Sequence, residues 1–387
     1  MTDTLTARQL LERLVAFPTV SSSTNLPLIY FVRDYFLSHG IDSEVIPNED
    51  GTKAGLIAAV GPDVTGGVAL SAHSDVVPVE GQNWTTEPWK VIEKDGKIYG
   101  RGTCDMKGFV ALAIAAMVKA KASNLKRPLQ FALSRDEEVG LLGAPDVAQG
   151  LLDKFAKVDA VLVGEPTEMK VVTGHKSCDD LQFHVRGHEV HSSLLHEGVS
   201  AVMCGARFVE WVRKQNVKNQ ARVPSTVAAM YNPPFTTLHV GQINGGTANN
   251  ITAKDCYFAI DLRCVGDERP EDWRSKIQQE IASIEKEMKA IHSDSFFKMD
   301  VMPGPAVVPE IEGNAESLAR RLTGDNGIHT VAYGTDGGHF QNRGFSVVIC
   351  GPGNIEQAHQ ADEFILASQF DAGEKMLDSL VETLQVS

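Results

Sequence analysis

Residues 129–140 read LQFALSRDEEVG. An apolar segment of the kind that makes a buried strand runs straight into Asp136, Glu137 and Glu138 before a glycine. Adjacent like charges repel, and an unpaired carboxylate is costly to bury. Either all three lie in water, or one faces a cation and another a water molecule. The strand itself points to the fold. Short continuous apolar runs belong to sheets covered on both faces, and such sheets gather ligands at the carboxyl ends of their strands.

The surrounding chain has the same texture. Helices are expected at about Leu5–Ala16 and Leu26–His39, and a strand near Ser43–Ile46. AGLIAAVG, GVALSAHSDVVP, the helix GFVALAIAAMVKAK and the strand AVLVGEPT follow. This is an α/β pattern: a mixed sheet covered by helices. From Cys178 the rhythm changes to strand, helix, strand, strand, helix and a last strand, FFKMDVM. That order is a ferredoxin-like split α+β unit, inserted because α/β texture returns with HTVAYGTDGGHF, FSVVICGPG and a closing helix. The expected boundaries are 1–177 and 296–387 for the catalytic domain and 178–295 for the insertion.

Bulk properties narrow the function. At 387 residues the chain exceeds the usual size of one core. A net charge of −14, from 36 basic and 50 acidic residues, argues against nucleic acid or an anionic membrane as partner. The N-terminal MTDTLTARQLLERLVAFPTVSSSTN has no basic and apolar leader pattern, and the most apolar run is lysine-interrupted and too short to span a bilayer. Six scattered cysteines without a C-x-x-C pair read as reduced thiols in a cytoplasmic protein, with Cys104 the one nearest the chemistry.

Several candidate ligands follow strands. His73 and Asp75 point the same way on extended chain, so Asp75 can accept the second ring N–H of His73. Asp105, in YGRGTCDMKG, precedes a helix and is either an N-terminal carboxylate or a ligand. Glu137, Glu138, Glu165 and His359 occupy comparable positions after strands. Gathered at one sheet edge, these groups would repel unless a cation sat between them. Two imidazoles with three carboxylates suit zinc or its neighbours, and one bridging carboxylate would hold a pair about 3.5–4 Å apart.

In order and spacing, SAHSDVVP, GRGTCDMKG, SRDEEVG, GEPT, GHEVHSS and AHQADEF resemble the dinuclear-zinc acetylornithine deacetylase, succinyl-diaminopimelate desuccinylase and carboxypeptidase metallohydrolase family, in particular its acetylornithine deacetylase branch. The resemblance implies that His73, Asp105 and Glu165 hold one ion, and that Asp105, Glu138 and His359 hold a second. Zinc is implied, with cobalt as the alternative. Asp75 would orient His73, and Glu137 would be the general base, moving a proton from the water between the ions to the leaving nitrogen. In the inserted domain, His191, flanked by Gly187 and Gly198, would help hold the oxyanion from the partner subunit of a homodimer. His188 and His196 read as exposed loop residues. Arg263 and Asn250 fall at family positions for the substrate α-carboxylate, although a strand-end arginine is also a common salt-bridge partner. Thr335, Asp336, Gly337 and Gly338 resemble a substrate-side loop, with His339 structural. The chain departs from the branch at Ser177-Cys178-Asp179-Asp180, where Asp179 or Asp180 either meets a cationic side chain or sits in a solvated turn. The implied reaction is removal of the acetyl group of N2-acetyl-L-ornithine, giving L-ornithine and acetate for arginine biosynthesis. Another acyl-amino-acid hydrolase is the alternative, and after it a non-catalytic binding protein.

Overall fold

The structure is a computed structural model that describes residues 4–386. In chain order the helices are α1 (Ala7–Val15), α2 (Leu26–Ser38), α3 (Lys107–Lys121), α4 (Ala144–Lys154), α5 (Ala201–Gln220), α6 (Pro270–Ile291), α7 (Asn314–Thr323), α8 (Gly337–Gln341) and α9 (Ala367–Thr383). The strands are β1 (Ser43–Pro47), β2 (Ala54–Val60), β3 (Val68–His73), β4 (Ile92–Lys94), β5 (Lys97–Tyr99), β6 (Leu129–Ser134), β7 (Ala160–Val163), β8 (Val172–His175), β9 (Asp179–Arg186), β10 (Thr237–Gly245), β11 (Asp255–Arg263), β12 (Phe296–Met302), β13 (His329–Val331), β14 (Val347–Ile349) and β15 (Phe364–Leu366). Two compact units form: residues up to Gly174 with Pro309–Thr330 and Thr335 onward, and His175–Val308 with Val331–Gly334.

The first unit is built on an eight-stranded sheet of order β1-β2-β6-β3-β7-β14-β8-β13. β6, β3, β7 and β14 run parallel, while β1 and β2 are antiparallel additions. Every residue of β3, β6 and β7 is buried, the signature of strands covered on both faces. α3 packs on β3 and β6, and α4 packs on β2 and β6. Parallel register then fixes the functional edge. His73 lies opposite Ser134, and Ser71 opposite Val163, so the chain leaves β3, β6 and β7 at one level. The acidic triplet and Glu165 follow immediately.

The second unit is the expected split motif, with antiparallel order β10-β11-β9-β12. β9 alternates buried and more exposed residues because one face carries α5 and α6. Phe183 stacks on Phe258 with ring centroids 4.8 Å apart in that core. The unit runs from His175 to Val308, past the expected boundaries at 178 and 295. The physical reason is pairing: β12 hydrogen-bonds to β9, with Phe296 opposite Arg186. No described helix is long and apolar enough to cross a membrane.

Candidate metal centre

His73 ends β3, wholly buried, and Asp105 sits in the loop that opens α3. Donor atoms form two groups, His73–Asp105–Glu165 and Asp105–Glu138–His359, with all atoms of each group within 4.8 Å of one another. Asp105 belongs to both. Its Oδ1 is 3.0 Å from His73 Nε2 and its Oδ2 is 3.2 Å from His359 Nε2. Glu165 Oε1 approaches His73 Nε2 at 3.6 Å, and Glu138 Oε2 is 3.1 Å from His359 Nε2. One carboxylate thus turns one oxygen to each group, the disposition of a bridging ligand.

Electrostatics supply the test of fit. Burial drives the carboxyls of Glu137 and Glu165 well above their ordinary range, and neighbouring carboxylates reinforce the shift. Glu138 is raised by burial and by Asp105, against the pull of His359. Burial opposes a charged His73, yet the hydrogen bond to Asp105 and the surrounding carboxylates hold its pKa well above the usual imidazole value. His359, bonded to Asp105 and Glu138, is pushed up to about 10. A cluster that forces protons onto carboxyls and imidazoles alike is short of positive charge. Divalent cations at the two donor groups would supply it, so the donor set fits zinc or a similar ion.

Asp75 takes a different part from the one expected. His73 Nδ1 lies 3.0 Å from the Asp75 main-chain oxygen and 3.7 Å from its carboxylate. The carboxylate instead accepts from Ser21 Oγ at 2.6 Å and from the Glu137 and Glu138 amides at 3.1 and 3.3 Å. Its side chain anchors the acidic triplet, while its backbone orients the imidazole. Asp136, itself buried, turns away into ion pairs with the partly exposed Lys53 and Arg135, at a φ of 54°. Of the three acids, one is a donor, one stands free beside it, and one is structural.

Thr335 and Gly338 lie buried at the start of α8, and the Gly337 amide donates to Thr335 Oγ1 at 3.1 Å. Asp336, buried between them, accepts from Ser134 Oγ, and burial raises its carboxyl to about 6. His339 is buried, and burial with Arg343 nearby lowers its pKa to about 4.

In the second unit, His191 is exposed and caps a short 3-10 turn, with Nδ1 2.8 Å from Ser193 Oγ. The Ser192 amide donates to the Asn250 carbonyl at 2.9 Å, so His191 and Asn250 share one end of the sheet, beside the Arg186–Asp255 pair. Arg263 closes the other end of β11. Nine residues of strand put it about 27 Å from Asp255. Within one chain the length of β11 therefore sets Arg263 well apart from Asn250. Arg263 Nε is also held by Asp261 at 2.8 Å. Asp179 is neither solvated nor free: it is fully buried, 2.6 Å from Arg274, and accepts from the Gly304 amide. Asp180 bonds locally to Gln182. His196 is exposed, whereas His188 stacks on His292 with centroids 3.8 Å apart. Cys104 is buried, and burial raises its thiol well above the ordinary value.

Sequence reasoning passed over Ser21, which holds Asp75, and Glu363, wholly buried against the Asp105 loop. Glu363 lies inside the AHQADEF motif. The signal available was its position four residues after a ligand histidine.

The chain is similar to known proteins over nearly its whole length. The acetylornithine deacetylase of Pasteurella multocida (strain Pm70) is 31% identical over 386 residues, covering 96% of each chain. That of Myxococcus xanthus is 32% identical over 374 residues, covering 94% of each. Among solved structures, aminopeptidase PepT of Bacillus cereus superposes with a TM-score of 0.73 at 19% identity, over 98% of both chains. The metallo-carboxypeptidase Sso-CP2 of Sulfolobus solfataricus gives 0.74 at 14% identity, over 99% of this chain and 100% of that one. Residues 69–383 match the description "Peptidase family M20/M25/M40", and the chain belongs to that family.

Proposed function

We propose that this protein is a dinuclear-metal amidohydrolase that removes the acetyl group of N2-acetyl-L-ornithine, giving L-ornithine and acetate for arginine biosynthesis. The observation that carries the reading is the pair of donor groups sharing Asp105, with Glu137 in neither and held beside them. His73, Asp105 and Glu165 would hold one ion, and Asp105, Glu138 and His359 the other, zinc first and cobalt as the alternative. Bound there, the ions would lower the pKa of a water from about 15.7 to about 7 and polarise the amide carbonyl. Glu137 takes a proton from the attacking water and returns it to the leaving nitrogen. Its burial, which raises its pKa, suits a group that must hold that proton between the two transfers.

The same reading assigns the substrate contacts. Arg263 takes the α-carboxylate and Thr335 with Gly338 line the substrate side. A second copy supplies His191 to the oxyanion and Asn250 to the carboxylate. The length of β11, which separates Asn250 from Arg263 within one chain, supports a homodimer joined through this unit. A cytoplasmic setting, expected from six scattered cysteines without a C-x-x-C pair, belongs to the same reading.

Curated relatives at about a third identity carry the acetylornithine deacetylase name, which favours that substrate over other acyl-amino acids. The test is kcat/KM for N2-acetyl-L-ornithine against succinyl-diaminopimelate and N-acetylmethionine. Acetylornithine is expected to be the best of the three, and a higher value for either competitor refutes the substrate assignment.

A further inference from the structure

Glu363 lies four residues beyond His359 and is as buried as the arginine it faces, each side chain 1% exposed. Its Oε2 accepts from Arg101 Nη1 at 2.7 Å and from the Gly102 amide at 2.9 Å. Its Oε1 accepts from the Cys104 amide at 2.9 Å and the Asp105 amide at 3.1 Å. Three amides of one loop thus converge on one carboxylate, and the last of them belongs to the shared ligand. The same segment is pinned from the other side. Gln82 Nε2 donates to the His359 carbonyl at 2.8 Å, and Gln82 Oε1 accepts from Arg101 Nη2 and from Trp84 Nε1. Asp362 accepts from the amides and hydroxyls of Thr85 and Thr86. His359 and Asp362 sit at φ values of 59° and 55°, a region uncommon for non-glycine residues though one that His and Asp enter more readily than most.

His73 and Glu165 leave the ends of buried strands and need no such device. His359 and Asp105 come from loops, and His359 is half exposed. We propose that Glu363 is the positioning residue of the second cation site, fixing the Asp105 loop against the His359 loop so that their side chains meet at one ion. The inference rests on the dinuclear reading above.

A glutamine at this position keeps the shape but turns an NH2 toward N–H donors that the carboxylate now satisfies, so the loop must shift. The experiment is zinc titration of the purified protein by calorimetry, with cobalt stoichiometry and the cobalt visible spectrum as a second readout, for wild type and Glu363→Gln. Wild type is expected to bind two ions. Glu363→Gln is expected to bind the second about 10–100-fold more weakly, the usual effect of losing a partner behind the ligands, with a much smaller change for the first. Unchanged affinities, or equal weakening of both ions, overturns the inference while leaving the metal site standing. A wild type that binds no ion overturns the dinuclear reading, and this inference with it. Should Glu363→Gln not fold, Gln82→Ala takes its place, since Gln82 is partly exposed and uncharged. It removes one donor from His359 and should weaken the second ion selectively by about two- to tenfold. No selective loss there overturns the inference.

Discussion

Removing the Asp75 side chain tests how the acidic triplet is held. Asp75→Ala deletes the acceptor of the Glu137 and Glu138 amides and of Ser21 Oγ, but leaves the carbonyl that faces His73 Nδ1. Hydrogen bonds to a charged group contribute about 1.5–3 kcal/mol each, so the two amides alone account for about 3–6 kcal/mol before coupling between them. In a unit of this size about 1 kcal/mol corresponds to roughly 2–4 °C, so Tm should fall by about 6–24 °C. Asp75→Asn keeps one acceptor oxygen and should lose about half as much. Because Glu137 is displaced, kcat/KM should fall by about a hundredfold or more, the effect of an ångström-scale misplacement. Melting curves, hydrolysis rates and zinc titration on the same preparations make the comparison. The first ion, held by His73 with its carbonyl partner intact, should bind nearly as in wild type. Selective loss of that ion, with Tm unchanged, would show that the Asp75 carboxylate orients His73 and that the anchoring role is wrong.

Glu137→Gln should lower kcat by about 10²–10⁴-fold with ion content unchanged, and turnover near wild type would refute its role as base. His339 gives a pH effect of defined sign. Its ring stays neutral in the fold down to about pH 4, whereas the unfolded chain takes a proton below about 6.5. Stability is therefore full above pH 6.5 and declines by about 3 kcal/mol as pH falls to 4, so a His339→Gln variant should lose less on acidification in urea melts at pH 7 and 4.5. Equal losses would contradict it. If His191 and Arg263 of one site come from different copies, His191→Ala and Arg263→Ala chains should each be nearly inactive. Co-expressed, they should recover toward about a quarter of wild-type activity, since half the dimers are mixed and each carries one whole site. No recovery would place both residues in one copy or in none.

Much of this was written in the sequence because parallel strands translate position into place. His73, Glu138 and Glu165 each follow a continuous apolar run, and level strand ends bring them together. What escaped was decided by geometry across long separations. Asp179 looked like a turn residue because its partner Arg274 stands 95 positions away. Asp75 could be placed near His73, but no spacing rule tells a carboxylate from its own carbonyl as the hydrogen-bond acceptor. Arg263 and Asn250 stand only 13 positions apart, yet extended strand turns most of that interval into length. His188 appeared exposed until α6 ended at its ring with His292. Glu363 read as one more acid in a charged motif, since nothing local reveals three amides pointing at it.

The most direct test of the central claim is metal content measured beside acetylornithine hydrolysis, on one preparation, before and after a chelator. Two zinc-like ions per chain, with activity lost on stripping and regained when the metal is returned, is the expected result. Full hydrolysis by metal-free protein, or no metal bound even when zinc is supplied, would contradict it.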